Sequence, residues 1–214
     1  MNAFVRYTVR GVYHLWYDFK IEGEENVPEQ EGFIIACNHR SLADPVLVTM
    51  PVRKPVKYMA KEELFKSPIF AAFIRGLGAF PIRRGAGDMG VIDDCVERLR
   101  KGYNVVIFPE GTRQYENKVA RLKTGVAVIA GKSGAPVLPM GVVFEGKKLH
   151  FRSKLTLRIG KPIPPEEIAV PDGDRHALNA CKARIAEALK ELVEGAPDAV
   201  SDDSTDKADK GTDE

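Results

Sequence analysis

The sequence predicts an α/β fold: a single domain with a largely parallel central sheet flanked by helices, plus an N-terminal amphipathic helical segment. From residue 32 onward, short apolar runs alternate with longer helical patterns, which is typical of βαβ construction. The 214 residues, 44% of them hydrophobic, suffice for one substantial core but not for two ordinary domains and a linker. We therefore expect one domain over residues 26–195, preceded by the amphipathic segment over residues 1–25.

Six apolar runs predict the strands of the sheet, and five stretches of helical periodicity predict the helices around it. The predicted strands cover residues 32–37, 56–60, 79–83, 103–108, 137–144 and 150–159. The predicted helices cover residues 45–50, 62–74, 88–101, 124–132 and 174–194, the last with Gly195 as its C-cap.

Residues 1–20 mix aromatic and aliphatic side chains with basic ones, a pattern that fits an amphipathic helix lying on a membrane surface. Tyr7 and Trp16 suit the headgroup boundary, but they suit the edge of a protein core equally well, so an ordinary docked helix is the alternative. The longest run without charge, residues 133–144, has twelve residues and two prolines, whereas a spanning helix needs roughly 18 to 20. We expect no membrane-spanning segment.

Charge is distributed unevenly along the chain. Residues 196–214 contain seven acids and two lysines, and this polar composition predicts a disordered acidic tail. The chain as a whole carries a formal charge of +2, so that without the −5 of the tail the body carries +7. Such a body attracts phosphate groups, anionic lipid or nucleic acid, and charge alone neither chooses among these partners nor excludes a merely solvated surface.

A polar segment with two candidate catalytic residues, NHRSLADP at 38–45, follows the first predicted strand, where α/β folds commonly carry functional loops. On a continuous helix His39 and Asp44 would point about 140° apart, so a turn has to bring them together. Asp44 precedes Pro45 and is a natural N-cap. From there its carboxylate can hold one imidazole nitrogen of His39 and leave the other as a base toward a hydroxyl. The alternative is that Asp44 only caps its helix and that His39 is an ordinary loop residue whose hydrogen bonds are satisfied.

Two further motifs supply groups that suit a phosphate. FPEGTR at 108–113 ends another apolar strand, so its loop is expected at the same edge of the sheet as His39. Gly111 lets backbone amides approach a ligand, Arg113 offers a planar fork for phosphate, and Glu110 either orients Arg113 or binds a substrate hydroxyl. GAFPIRR at 78–84 adds Arg83. A common turn and solvated arginines are the alternative explanations.

Several other chemistries lack the residues that they need. The GxSxG pattern of serine hydrolases and the GxxxxGK[ST] phosphate loop are both absent. His39, Asp44 and Glu110 are conceivable metal ligands, but HExxH and His-rich spacings are missing, so we expect no metal site. The three cysteines form no CxxC pair and are expected to be reduced, buried and structural. They are Cys37, Cys95 and Cys181.

Four motifs together, NHRSLAD, GAFPIRR, FPEGTR and APVLP at 135–139, resemble in order and approximate spacing those of the glycerolipid acyltransferases. The family is typified by bacterial 1-acyl-sn-glycerol-3-phosphate acyltransferase, and the similarity covers residues 26–164. The resemblance implies that His39 is the general base and that Asp44 orients it. The resemblance also implies that residues 136–139 support the substrate pocket. It further implies that the glycerophosphate is bound by residues 80–84, which include Arg83, and by Glu110, Gly111, Thr112 and Arg113.

The resemblance implies transfer of a fatty acyl group from acyl-CoA or acyl-carrier protein to the sn-2 hydroxyl of lysophosphatidic acid, giving phosphatidic acid. It implies no metal and no cofactor, because a thioester already carries a good leaving group. The expected partners are a lysophospholipid acceptor, an acyl thioester donor and an anionic membrane surface, and not nucleic acid. The expected location is cytoplasmic, peripheral on the inner face of the cell membrane.

Two residues depart from the family pattern and leave the acceptor open. Gln114 stands where serine is frequent after FPEGTR, and Leu122 stands where an aromatic residue is frequent before Lys123-Thr124-Gly125. Another lysolipid acceptor is therefore kept as an alternative. A catalytically silent protein, whose basic face binds anionic membranes, is a separate alternative. Attachment to the membrane is expected through residues 1–20. A second set of apolar residues either contacts the membrane as well or packs in the protein core. That set is Leu64, Phe65, Ile69, Phe70 and Phe73.

Overall fold

Helices and strands alternate along the chain, as the sequence predicts. This computed structural model describes residues 3–82 and 88–195, with backbone alone for residues 3–5, 88 and 89. The elements in chain order are α1 (Ala3–Trp16), β1 (Asp18–Glu22), β2 (Ile34–Cys37), α2 (Asp44–Thr49), β3 (Val56–Lys61), α3 (Pro68–Gly76), β4 (Ala79–Ile82), α4 (Asp88–Arg100), β5 (Asn104–Ile107), α5 (Gly125–Ser133), β6 (Val137–Phe144), β7 (Lys154–Ile159) and α6 (Arg175–Val193). Short 3-10 helices lie at Glu24–Asn26, Glu62–Phe65 and Pro165–Ile168.

Within the described residues, seven strands form one sheet in the order β1-β7-β6-β2-β5-β3-β4. Every neighbouring pair is parallel except β6 and β7, which run antiparallel. β2 lies between β5 and β6, and all four of its residues are buried. The predicted α/β domain with a largely parallel central sheet flanked by helices is therefore confirmed.

All six predicted strands are present, and their ends differ from the prediction by a few residues. The largest difference is at residues 150–153, which were expected in the last strand but form a turn in which the Ser153 N–H donates to the His150 carbonyl over 3.1 Å. The prediction lacks β1, which pairs with β7 at the edge of the sheet. This strand has only five residues, in which the exposed Asp18, Lys20 and Glu22 alternate with the buried Phe19 and the half-buried Ile21. So short an alternation, directly after the helical pattern of α1, is difficult to recognise in the sequence.

The predicted helix over residues 62–74 is instead two separate pieces, the 3-10 helix Glu62–Phe65 and α3. Proline has no backbone N–H and disfavours the helical conformation in the residue before it. Ser67, which precedes Pro68, is accordingly extended, with φ −84° and ψ 117°. The end of α6 also differs, because Glu194 is the C-cap and Gly195 follows it, with its N–H bonded to the Lys190 carbonyl.

Two apolar clusters, one on each face of the sheet, form the core. Alternate residues of β2 point to opposite faces, with Ile34 in the cluster under α4, α5 and α6 and Ile35 in the cluster under α2 and α3. Tyr13 of α1 packs against the second cluster. All three cysteines are buried and unpaired, as predicted.

Large apolar side chains of α1 and α3 are exposed to solvent. Ile69 of α3 is 87% exposed and Leu15 of α1 is 75% exposed. No helix in residues 3–82 or 88–195 is both long and apolar enough to cross a bilayer. The predicted acidic tail, residues 196–214, lies outside the described residues. The other exposed large apolar residues on or beside these two helices are Tyr7, Val12, Trp16, Leu64, Phe70 and Phe73.

Candidate active site

The loops that follow β2 and β5 meet at one edge of the sheet, as predicted, because these two strands are parallel neighbours. The first loop contains NHRSLAD and the second contains FPEGTR. Two hydrogen bonds made by the backbone of His39 join the two loops. Its N–H donates to Oε2 of Glu110 over 3.0 Å, and its carbonyl accepts from the Gln114 N–H over 2.7 Å.

His39 and Asp44 are in direct contact, with Nδ1 of the imidazole 2.8 Å from Oδ2 of the carboxylate. Asp44 is fully buried, whereas the His39 side chain is 20% exposed. The same Oδ2 atom accepts hydrogen bonds from the backbone N–H groups of Arg40 (2.6 Å) and Ser41 (2.7 Å). The carboxylate therefore organises the turn that brings it to His39, which the spacing of five residues requires.

The expectation that Asp44 is the N-cap of its helix is wrong. Ala43 occupies the N-cap position and Asp44 is the first residue of α2, followed by Pro45. A capping carboxylate would accept N–H groups from the first turn of the helix, but that of Asp44 points back at the preceding turn and bonds Arg40 and Ser41. The three hydrogen bonds of Asp44 Oδ2 go to the turn and to His39, which removes the alternative that Asp44 only caps the helix.

The imidazole ring of His39 lies on the ring of Phe108, with a centroid distance of 4.3 Å and an interplanar angle of 26°. Phe108 is the first residue after β5, and no pattern in the sequence indicates its contact with His39. With Nδ1 bonded to Asp44 and one ring face on Phe108, the orientation of the imidazole is defined by two contacts. Nε2 has no hydrogen-bond partner among the described residues. A substrate hydroxyl at that atom would meet a nitrogen lone pair when Nδ1 carries the proton.

Asn38 and Arg40, on either side of His39, anchor the loop to β6 and to the end of the FPEGTR loop. The Asn38 side chain bonds both the N–H and the carbonyl of Val142. The Arg40 guanidinium donates to the carbonyls of Phe144 (2.6 Å), Tyr115 (3.0 Å) and Gly146 (2.7 Å) and stacks on the Phe144 ring. Because these partners lie between 75 and 106 residues away, only the tertiary structure identifies the two anchors.

Glu110 is buried, and backbone N–H groups occupy both of its carboxylate oxygens. Oε2 accepts from His39, and Oε1 accepts from Ala120 over 3.0 Å. Burial raises the pKa of Glu110, against the lowering effect of these two hydrogen bonds. The carboxylate therefore braces the two loops against each other, and it neither pairs with Arg113 nor faces solvent.

Three more of the predicted phosphate-binding residues, Gly111, Thr112 and Arg113, form an exposed turn directly after Glu110. Gly111 has φ 73°, in the left-handed region that favours glycine, and its N–H donates to the Phe108 carbonyl. The side chains of Thr112 and Arg113 are exposed. Arg113 has no partner among the described residues, so its guanidinium is available to a ligand. Arg83 lies outside the described residues.

A family model described as Acyltransferase matches residues 18–143, which include the His39 loop and the FPEGTR loop. The chain belongs to the acyltransferase family. Relatives named 1-acyl-sn-glycerol-3-phosphate acyltransferase include two bacterial proteins. The relative from Bacillus subtilis (strain 168) is 33% identical over 177 residues, which are 81% of this acyltransferase and 87% of the relative. That from Streptococcus pneumoniae (strain ATCC BAA-255 / R6) is 33% identical over 67% of this acyltransferase and 55% of its own length.

A solved structure and a plant relative extend the comparison. The crystal structure of the 1-acyl-sn-glycerophosphate (LPA) acyltransferase PlsC from Thermotoga maritima superposes with a TM-score of 0.69 at 31% identity, covering 87% of this acyltransferase and 75% of that chain. The chloroplastic 1-acyl-sn-glycerol-3-phosphate acyltransferase LPAT1 of Arabidopsis thaliana is 28% identical over 81% of this acyltransferase, which spans half of that protein's length. The α/β fold with its central sheet is therefore shared with a solved member of the family.

Proposed function

We propose that this chain transfers a fatty acyl group from acyl-CoA or acyl-carrier protein to the sn-2 hydroxyl of 1-acyl-sn-glycerol-3-phosphate, forming phosphatidic acid for phospholipid synthesis. The contact that carries the proposal is the 2.8 Å hydrogen bond between His39 Nδ1 and the buried Asp44 carboxylate. The names of the relatives from Bacillus subtilis and Streptococcus pneumoniae support the choice of acceptor.

In the proposed mechanism His39 is the general base. With its Nδ1 proton held by Asp44, the Nε2 atom accepts the proton of the sn-2 hydroxyl. The positive charge that develops on the imidazole is stabilised by the Asp44 carboxylate, which two backbone N–H groups keep in place. A base positioned in this way contributes about 10² to 10⁴ in rate.

Acyl transfer then proceeds in two bond changes. The hydroxyl oxygen attacks the carbonyl carbon of the thioester and forms the new ester bond, and the carbon–sulfur bond breaks to release a thiolate. The proton that His39 took from the hydroxyl passes to the leaving thiolate, so the imidazole is neutral again for the next cycle. Because the thiol is a good leaving group, no metal or cofactor is needed.

Phosphate recognition is assigned to the turn after Glu110. The exposed Arg113 guanidinium offers two parallel N–H groups to phosphate oxygens, and the positive φ of Gly111 turns the backbone so that Thr112 and Arg113 face outward. Glu110 supports this turn through its bonds to His39 and Ala120, and it is assigned an indirect part in substrate binding. Arg83, from GAFPIRR, is assigned to the same phosphate by resemblance.

Membrane attachment is proposed on the inner face of the cell membrane, through α1. Its exposed Leu15 and Trp16 continue into Phe151, whose ring lies 5.3 Å from that of Trp16. Tyr13, on the same helix, donates a hydrogen bond of 3.4 Å to the carbonyl of Ala43, beside Asp44. Leu42, at the tip of the active-site loop, is 75% exposed. An apolar surface next to the loop would let a lipid acceptor reach His39 without leaving the bilayer.

A transfer assay with radiolabelled acyl donors tests the proposed function. Purified full-length chain is offered acyl-CoA or acyl-acyl-carrier protein, together with lysophosphatidic acid, lysophosphatidylcholine or an acylated amino acid as acceptor. We expect the highest kcat/KM with lysophosphatidic acid. A higher kcat/KM with an acceptor that lacks a phosphomonoester would replace the proposed acceptor. The absence of transfer to any acceptor would favour a silent membrane-binding protein.

A further inference from the structure

Lys123 lies directly over the turn of the FPEGTR motif. A Cβ atom added to Gly111 would lie 2.5 Å from Cε of Lys123 and 2.7 Å from its Nζ. The ammonium group therefore occupies the space that a side chain at position 111 would fill. The positive φ of Gly111 favours glycine at this position, and the flexible end of the Lys123 side chain lies against it.

The backbone of Lys123 is held in place, whereas its ammonium group has no partner in residues 3–82 and 88–195. The Lys123 N–H donates to the carbonyl of Pro109 over 2.8 Å, which ties this residue to the segment immediately before Glu110. The nearest acid along that segment, Glu110, is committed to the N–H groups of His39 and Ala120. Nζ of Lys123 has no hydrogen bond or ion pair with any residue in the described ranges, and the side chain is exposed.

The turn that Lys123 covers is joined to the catalytic loop. Glu110, which precedes Gly111, bonds the His39 N–H, and Gln114, which closes the turn, bonds the His39 carbonyl. A ligand that contacts both Lys123 and Arg113 would therefore lie beside His39. Two cations at one turn, neither of them paired within the described part of the chain, suit a group with two negative charges and several acceptor oxygens, which describes a phosphomonoester.

We propose that Lys123 is a substrate-binding residue that contacts the phosphomonoester of the acceptor, together with Arg113. This inference rests on the proposed function and deepens it. The ammonium adds a point charge beside the planar guanidinium, so it favours a doubly charged phosphate over a phosphodiester that carries a single charge. Lys123 thereby contributes to the choice of lysophosphatidic acid over lysolipids with larger head groups.

The test is the steady-state kinetics of Lys123→Met, which keeps most of the length of the side chain and removes the charge. We expect the KM for lysophosphatidic acid to rise roughly tenfold or more, the loss associated with one charge-assisted hydrogen bond, with kcat and the KM for the acyl donor little changed. Lys123→Arg, which retains the charge, should recover much of the loss. An unchanged KM for lysophosphatidic acid, or a rise confined to the KM of the donor, would overturn the proposal.

Lys118→Met is the matched control. Lys118 is also exposed and lies in the same loop, but it is paired with Glu116 over 3.2 Å. This variant should leave both KM values unchanged, and an equal rise in both lysine variants would indicate a general effect of charge and overturn the specific contact.

Equilibrium binding of lysophosphatidic acid in detergent micelles separates the inference from the proposed function. Wild type should bind it more tightly than Lys123→Met. If wild type prefers to acylate another lysolipid, the proposed function fails, while weaker binding by Lys123→Met would still support the phosphate contact. Equal binding by the two proteins, or no binding by either, would overturn the role of Lys123.

Discussion

The side chain of Asn38 extends the pairing of β2 with β6 by one step. Its Nδ2 donates to the carbonyl of Val142 over 2.9 Å, and its Oδ1 accepts from the Val142 N–H over 2.7 Å. The side-chain amide thus replaces a backbone partner at the point where the chain leaves the strand. His39, the next residue, begins its turn from this fixed position.

Replacing Asn38 with alanine should destabilise the protein by more than about 2 kcal/mol, because it leaves a buried N–H and a buried carbonyl of Val142 without this partner. Urea unfolding measures the loss. Asn26→Ala is the control, since Asn26 makes one hydrogen bond to the Ile159 carbonyl and is only partly buried. It should lose about 1 kcal/mol. Equal losses in the two variants would contradict the anchoring function of Asn38.

Asp44→Asn should lower kcat by about 10² to 10⁴ and leave the KM for the acceptor nearly unchanged. The amide oxygen of asparagine can still accept the N–H groups of Arg40 and Ser41, so the turn is retained. A neutral side chain, however, does not stabilise the imidazolium that forms when His39 takes a proton. Steady-state kinetics provide kcat, and urea unfolding verifies the fold. A folded variant with the wild-type kcat would contradict the assigned function of Asp44.

Glu110 should make stability fall with rising pH across one window. Burial raises its pKa, so the folded chain holds the proton more tightly than the unfolded chain. Between the usual carboxyl pKa and the raised value, unfolding releases a proton, and the contribution of Glu110 to the free energy of unfolding decreases as pH rises. Above the raised pKa, the cost of burying the ionised carboxylate is fully present.

Urea unfolding of wild type and Glu110→Gln over a series of pH values measures this effect. Glutamine does not titrate, so the free energy of unfolding of wild type minus that of the variant should decrease with rising pH in the window. A difference that is constant or increases with pH would contradict the effect of burial on Glu110.

Trp16→Glu should weaken binding to vesicles of phosphatidylglycerol and phosphatidylcholine by roughly tenfold or more, because an exposed apolar side chain is replaced by a charge of the same sign as the lipid. Vesicle flotation measures the bound fraction. Ala183→Glu introduces the same charge at an exposed position of α6, on the opposite face of the sheet, and should leave binding unchanged. Wild-type binding by Trp16→Glu would argue against attachment through α1.

The sheet and the meeting of the two loops were predictable because they follow from local patterns. Buried parallel strands are short apolar runs, and the loops after neighbouring strands share an edge. His39 and Arg113 could be selected because their residue types and positions after such runs suit a base and a phosphate ligand. The strand β1 escaped prediction because its charged residues alternate over only five positions.

The residues that hold the active-site loop in place were not predictable, because their function depends on contacts between distant segments of the chain. Arg40 binds the carbonyls of Tyr115, Phe144 and Gly146, and no pattern near residue 40 indicates these partners. Asp44 precedes a proline at the start of a helix and has every local sign of an N-cap. Its carboxylate bonds the preceding turn instead, because that turn presents two N–H groups and His39 to it.

The most direct test of the account is the rate of acyl transfer to lysophosphatidic acid by His39→Ala, compared with wild type under the same conditions. Removal of the base should lower kcat by about 10² to 10⁴. Circular dichroism and urea unfolding should show that the variant remains folded, because the two backbone bonds of residue 39 do not need the imidazole. A folded His39→Ala variant that transfers acyl groups at the wild-type rate would contradict the central claim that His39 is the general base.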